Sequence, residues 1–170
     1  MIQAHLTGNK ITSNTQEAFT LQESSCFGEK KSEVIEYAPI EALFLIQEKK
    51  MQILAGKNTL SFSELLRKIR KEDKKIETKL AAFSDLRKRG YIVKTALKFG
   101  AEFRVYEKGV KPGEDHARWI LYTVTENEAL KWHDFAAKNR IAHATKKNLL
   151  IAIIDDEGDV SYYQIAWMRP

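Results

Sequence analysis

The spacing of apolar residues changes at Gly90, and this change restricts the possible folds more than any other feature of the chain. Before it, residues 73–89 carry an apolar stripe at helical spacing, made of Ile76, Leu80, Phe83 and Leu86. After it come β-rich runs at 91–97, 103–107 and 119–124, a helical stretch at 132–145, and strands at 149–154 and 160–167. Since helices often end at glycine and strands have a shorter apolar period, Gly90 predicts a helix end followed by a sheet.

The first half of the chain mixes strand and helix signals. Short β-like runs alternate with turn signals through residue 37, and Gly8-Asn9 predicts a hairpin. Pro39 suits the first turn of a helix over 40–49, and Ser61 with Glu64 has the spacing of a capping box at a second helix start. We therefore predict an α+β fold, with a small N-terminal α+β domain over 1–84 and an α/β domain with a mixed sheet over 85–170.

The composition narrows the class of protein. Lys and Arg outnumber Asp and Glu by 28 to 23, and the sequence pI of about 9.2 indicates an anionic partner only weakly. Cys26 is the only cysteine, which excludes an intramolecular disulfide and a CxxC metal site. The N-terminal residues lack a basic stretch followed by an apolar one, and no apolar run is long enough for a membrane span. We expect a cytoplasmic protein with no membrane partner.

Three residues are candidates for chemistry because of where they lie. Tyr106 ends a predicted strand, His116 follows in the loop before the next strand, and Lys147 separates a predicted helix from a buried strand. Each also suits a structural role on its own: a half-buried strand aromatic, a solvated histidine, and a cation at a helix C-terminus. The four histidines contain no HxxxH pair, so their spacing does not favour a zinc site.

An acidic turn, residues 155–159, separates the last two predicted strands. Clustered carboxylates can bind Mg²⁺ for nuclease chemistry, but tight hairpin turns are also often acidic and rich in glycine. Asp155, Asp156 and Glu157 therefore leave two interpretations open.

Several ordered blocks resemble the archaeal tRNA-splicing endonuclease family. They are residues 85–93 (DLRKRGYIV), residues 99–106 (FGAEFRVY), His116 in its loop, residues 140–147 (RIAHATKK) and residues 158–163 (GDVSYY). The resemblance implies a small α+β domain followed by a nuclease-like α/β domain. It also implies cleavage of precursor tRNA at bulge-helix-bulge structures, leaving a 2′,3′-cyclic phosphate and a 5′-hydroxyl with no metal or other cofactor.

The family's catalytic Tyr, His and Lys fall on Tyr106, His116 and Lys147. An imidazole with a pKa near ~6.5 suits a general acid, and a lysine ammonium suits stabilisation of phosphate charge. A phenol with a pKa near ~10 is mostly protonated at neutral pH, so Tyr106 as base would need a nearby cation such as Lys147. A requirement for the substrate 2′-hydroxyl would restrict cleavage to RNA.

The resemblance also implies an RNA clamp and an assembly. Family members hold a flipped base between side chains of opposing subunits. Arg140 matches the arginine of this clamp, and Trp167 is a candidate for its stacking partner. Alternatively, Arg140 could pair with a carboxylate and Trp167 could belong to the core. Chains of this length resemble homotetrameric members, in which an acidic loop inserts into the other dimer at the position of Asp155, Asp156 and Glu157. Two alternatives are a non-catalytic structural or RNA-binding subunit of the same fold and a metal-dependent DNA nuclease.

Overall fold

The computed structural model describes residues 1–168, apart from the side chain of Phe99. Two compact units divide the chain, Met1–Leu80 and Ala81–Pro170. The long helix that contains this division also contains the predicted boundary after residue 84. The units are described separately below.

The first unit is built around a six-stranded mixed sheet with the strand order β3-β4-β2-β1-β5-β6, in which only the β1–β5 pair is parallel. Its elements are β1 (Ile2–Thr7), β2 (Lys10–Ser13), α1 (Gln16–Ser25), β3 (Glu29–Lys31), β4 (Val34–Tyr37), α2 (Pro39–Gln47), β5 (Met51–Ala55), β6 (Asn58–Leu60) and α3 (Phe62–Arg70), followed by the start of α4 (Ile76–Lys88).

Local signals account for several of these elements. The Gly8-Asn9 hairpin is confirmed, with Thr7 paired to Lys10 across the turn. The helix after Ala38 begins at Pro39 as predicted and is buried along most of its length. Ser61 and Glu64 form the predicted capping box: the Glu64 N–H donates to the Ser61 hydroxyl (3.3 Å) and the Ser61 N–H donates to the Glu64 carboxylate (2.8 Å).

One stretch differs from the prediction. Residues 16–25 form helix α1, where only β-like runs and turns are predicted. Thr15 at its N-terminus is a residue type that often caps helices, but its side chain makes no cap bond here, and Ala18 is the one buried residue of the helix.

The second unit contains the end of α4 and a five-stranded sheet in the order β11-β10-β9-β8-β7. Its further elements are β7 (Ile92–Thr95), a 3₁₀ turn (Leu97–Phe99), β8 (Phe103–Tyr106), β9 (Trp119–Thr125), α5 (Trp132–Ala144), β10 (Asn148–Ile154) and β11 (Val160–Ile165). The β9 and β10 strands are parallel and are joined through α5, while the other pairs are antiparallel. The predicted α+β class with a mixed sheet is confirmed.

The two faces of this sheet have different cores. The α5 side is a cluster of Ala96, Ala101, Ile120, Tyr122, Val124, Ala142, Leu149 and Ile151. On the other side, the Phe83 ring of α4 lies 5.8 Å from the Phe103 ring, and the Tyr162 hydroxyl donates to Asp85 (2.8 Å). None of the helices within residues 1–168 is long and apolar enough to cross a bilayer.

Candidate functional site

Three chain segments meet at one end of the second sheet, where β8 ends and β9 and β10 begin. Val105 pairs with Trp119, and Trp119 pairs with Asn148. Two backbone hydrogen bonds extend this alignment by one level: the Arg118 N–H donates to the Val105 carbonyl, and the Asn148 N–H donates to the Arg118 carbonyl, both at 3.0 Å. Tyr106, next to Val105, and Lys147, next to Asn148, are therefore brought to the same edge, which we call the catalytic edge after the role that we propose for it below.

Strand alternation places Tyr106 and Lys147 on the same face of the sheet. Ile120 and Leu149 are paired through the β9–β10 register and both belong to the α5-side cluster. Arg104 pairs with Ile120, so Arg104 and Tyr106, two residues apart on β8, lie on that face. Lys147 precedes Leu149 by two residues and follows the same alternation. Tyr106 is buried at this position.

His116 reaches the catalytic edge on the loop of residues 107–118. The loop is closed at its base by the Arg118–Val105 backbone bond and by an ion pair between Arg118 and Glu107. The His116 backbone N–H donates to the Asp115 carboxylate (2.6 Å), and the exposed His116 ring has no hydrogen-bond partner within residues 1–168. The imidazole is therefore open to a ligand, only two residues from the base of the loop.

A Schellman turn at the end of α5 fixes the position of Lys147. The Lys147 N–H donates to the Ala142 carbonyl (2.8 Å) and the Lys146 N–H donates to the His143 carbonyl (3.0 Å). Lys146 occupies the left-handed position of the motif, with φ of 56°, where glycine is usual. The turn reverses the chain into β10, so the helix end directly orients the lysine.

The Lys147 ammonium lies in a partly buried, cationic environment. Its Nζ donates to the Thr145 carbonyl (2.9 Å) and forms no ion pair within the described chain. Burial lowers the pKa of Lys147 from its ordinary value, and the nearby positive charge of Arg104 lowers it further. Sequence reasoning did not single out Arg104; its place two residues before Tyr106 on a strand is the signal that could have revealed it.

The two predicted clamp residues lie near the C-terminal half of α5. Arg140 is exposed on the helix, three residues from His143. The Trp167 ring lies 4.6 Å from the His143 ring and is half-exposed, so Trp167 is not part of the core. Residues three apart on a helix are surface neighbours, which brings Arg140 and Trp167 to one part of the surface.

The acidic turn lies at the opposite end of β10 from Lys147. The Asp155 carboxylate accepts the N–H groups of Glu157 (3.0 Å) and Asp159 (2.8 Å), which closes the hairpin. Asp156 and Glu157 are exposed at its tip. Throughout residues 1–168, no three His, Cys, Asp or Glu side chains converge as a metal site.

Two family models of the same enzyme match consecutive parts of the chain. The family model described as tRNA intron endonuclease, N-terminal domain, matches residues 2–66, and that of the catalytic C-terminal domain matches residues 76–162. The catalytic match contains Tyr106, His116 and Lys147.

Similar proteins named tRNA-splicing endonuclease match over nearly their whole length. One from Thermococcus onnurineus is 38% identical over 169 residues, covering 99% of this chain and 97% of the relative. One from Pyrococcus furiosus is 35% identical over 170 residues, covering 99% and 98%. One from Methanothermobacter thermautotrophicus is 35% identical over 156 residues, covering 92% and 91%. The chain therefore belongs to the tRNA intron endonuclease family.

Proposed function

We propose that this chain is a tRNA-splicing endonuclease that cuts precursor tRNA at bulge-helix-bulge structures, using Tyr106, His116 and Lys147. The observation that carries the proposal is the catalytic edge itself. Tyr106 and Lys147 come from distant parts of the sequence to the end of β8 and the start of β10, on either side of β9, and His116 is held on the loop that closes at the same edge. Family membership supplies the substrate class, intron-containing tRNA.

The chemistry assigns one task to each side chain. The substrate 2′-hydroxyl attacks the adjacent phosphorus, so an O2′–P bond forms as the P–O5′ bond breaks. Tyr106 takes the proton from the 2′-hydroxyl, and His116 gives a proton to the departing O5′. Lys147 stabilises the charge that develops on the non-bridging phosphate oxygens. The products are a 2′,3′-cyclic phosphate and a 5′-hydroxyl, and the step requires no metal.

We also propose that the chain works as a homotetramer. Two bulges separated by a short helix require two active sites at a fixed distance, which a symmetric assembly provides. The exposed tip of the acidic turn, Asp156 and Glu157, suits insertion into a basic cleft of another subunit. Arg140 and Trp167 offer a guanidinium and an indole, planar groups on which a flipped base can stack regardless of its sequence.

Cleavage by the purified chain alone tests this function. The substrate is a bulge-helix-bulge RNA, and the control is the same RNA with a single 2′-deoxy nucleotide at each cut site. We expect cleavage of the first RNA with EDTA present, cyclic-phosphate ends on the upstream product, and no cleavage of the second. Cleavage only after a partner chain is added would indicate a non-catalytic subunit. Cleavage of the deoxy substrate, or loss of RNA cleavage when EDTA is added, would indicate a metal-dependent nuclease instead.

A further inference from the structure

A second cation, Arg104, lies on the same α5-side face of the sheet as Lys147, with β9 between them. Arg104 pairs with Ile120 across β8 and β9, and Ile120 pairs with Leu149, two residues after Lys147. Arg104 thus lies two residues further along the strands, away from the catalytic edge, than Tyr106 and Lys147. Because arginine has a long side chain, a guanidinium starting from this level can reach the catalytic edge.

The Arg104 guanidinium lacks the partner that such a position normally requires. It is only partly exposed, and its Nε is buried with no hydrogen-bond partner. Across residues 1–168, Arg104 forms no ion pair, and the charge acting on Lys147 from its side is repulsive. Buried polar groups are rarely left unpaired, because an unmet donor costs free energy. Two cations on one face of the sheet, neither with a counter-ion in residues 1–168, point to an anionic ligand.

We propose that Arg104 binds a non-bridging oxygen of the scissile phosphate, opposite the oxygen bound by Lys147. This inference rests on the proposed function and adds a fourth substrate-contacting residue to that site. The guanidinium is a cation with N–H donors in a fixed planar fork, an arrangement that suits a phosphate oxygen. Bound phosphate would accept from the terminal N–H groups of the guanidinium and would offset the repulsion between the two cations.

The proposed contact should stabilise the transition state and so predicts how substitutions at position 104 change the cleavage rate. As O2′ bonds to phosphorus, negative charge increases on both non-bridging oxygens, so two cations held by separate segments of the chain stabilise it better than one. A lysine at position 104 would keep the charge but lose the planar fork. Arg104→Met should therefore lower single-turnover cleavage by about 10²–10³-fold, and Arg104→Lys by about tenfold.

A stereospecific sulfur substitution provides the decisive experiment. Wild-type, Arg104→Met, Arg104→Lys and a charge-matched control, Lys98→Met, are assayed on RNA with an Rp or an Sp phosphorothioate at the scissile phosphate. Lys98 is an exposed cation on the 3₁₀ turn. We expect sulfur to slow the wild-type enzyme at both isomers. In the Arg104 variants the slowing should shrink for one isomer only, while Lys98→Met should behave as the wild type does.

The outcomes separate this inference from the proposed function. Cleavage by Arg104→Met within threefold of the wild-type rate, or unchanged sulfur effects at both isomers, would overturn the Arg104 contact and leave the function standing. Failure of the wild-type chain to cleave the oxygen substrate would instead contradict the function. Thermal unfolding of each variant checks folding, and Arg104→Lys, which retains the stem and charge, carries the test if Arg104→Met does not fold.

Discussion

The two ends of the second sheet differ in the hydrogen-bond partners of their charged side chains. At the acidic end, the Asp155 carboxylate accepts two backbone N–H groups, and the Asp156 N–H donates to Glu126 (3.2 Å). At the catalytic edge, Lys147 bonds only a carbonyl oxygen and the Arg104 Nε bonds nothing within residues 1–168. A charge with local partners stabilises a turn, whereas a charge without a counter-ion is available to a ligand. The predictions below test this contrast.

The largest effect is expected from His116→Ala. Loss of the general acid should lower cleavage by roughly 10²–10⁴-fold, because the departing O5′ would no longer receive a proton. Binding of the 2′-deoxy RNA should be nearly unchanged, since the imidazole does not hold the phosphate. Single-turnover kinetics and filter binding measure the two properties. His133→Ala is the matched control, as His133 is exposed near the start of α5; unaltered cleavage by His116→Ala would remove this residue from the mechanism.

The next largest effect is expected from Lys147→Met, which should lower cleavage by about 10²–10³-fold through loss of transition-state charge stabilisation. Lys146→Met serves as its control, because it removes an equal charge one residue earlier from an exposed side chain. We expect this control to cleave at nearly the wild-type rate. Equal losses in the two variants would mean that general positive charge, rather than the placed ammonium, promotes cleavage.

A moderate effect on stability distinguishes two acidic residues of the turn. Asp155→Ala should lower the free energy of unfolding by about 1–2 kcal/mol, since two backbone N–H groups lose their acceptor. Asp156→Ala should change it by less than about 0.5 kcal/mol, because Asp156 is exposed. Chemical denaturation measures both. If Asp156 also contacts another subunit, sedimentation should show its variant dissociating at lower salt than the wild type; equal costs for the two variants would contradict the assigned roles.

A smaller effect is expected from Lys146→Gly. Lys146 has a left-handed backbone that glycine adopts without a steric cost, so the variant should be more stable by roughly 0.5–1 kcal/mol. The Schellman bonds that orient Lys147 should persist, and cleavage should be unchanged. Differential scanning calorimetry and the cleavage assay measure the two properties together. Lower stability in the glycine variant would show that contacts of the Lys146 side chain stabilise the fold by more than its left-handed backbone destabilises it.

The smallest effect concerns pH. Because the folded-state pKa of Lys147 is lowered by burial and then by Arg104, the unfolded chain binds more protons than the folded one between that pKa and 10.5. Stability attributable to Lys147 should therefore rise with pH across this window, and its cost should be fully present below it. Lys147→Met removes the cost, so its stability relative to the wild type should decline as the pH rises. A constant difference from neutral pH to 10.5 would contradict the lowered pKa.

Local signals made the elements of the fold predictable, while the arrangement of the site depended on pairing. The capping box at Ser61 and the turn at Gly8-Asn9 are defined by residues a few positions apart, so the sequence alone specifies them. Helix α1 follows Thr15, a residue type that suits a turn as well as a helix start, and buries only Ala18, so the sequence does not predict it. Arg104 has no distinguishing feature as a strand residue in the sequence. The strand register pairs it with Ile120, which in turn pairs with Leu149, two residues after Lys147. The spacing of Arg104 from Tyr106 indicates a shared face of the sheet, but its relation to Lys147 depends on strand register, which is a non-local property.

The way the loop of residues 107–118 is closed has a consequence for how this enzyme can vary. Its two ends are joined by the bond from the Arg118 N–H to the Val105 carbonyl, so the anchoring strands do not depend on the length of chain between them. Doubling a flexible loop costs only about 0.6 kcal/mol of closure entropy. Insertions near the exposed Gly113 should leave Tyr106 and Lys147 in place and alter only the reach of His116. Changes in the length of this loop can therefore move His116, the proposed acid, while the sheet that positions Tyr106 and Lys147 stays the same.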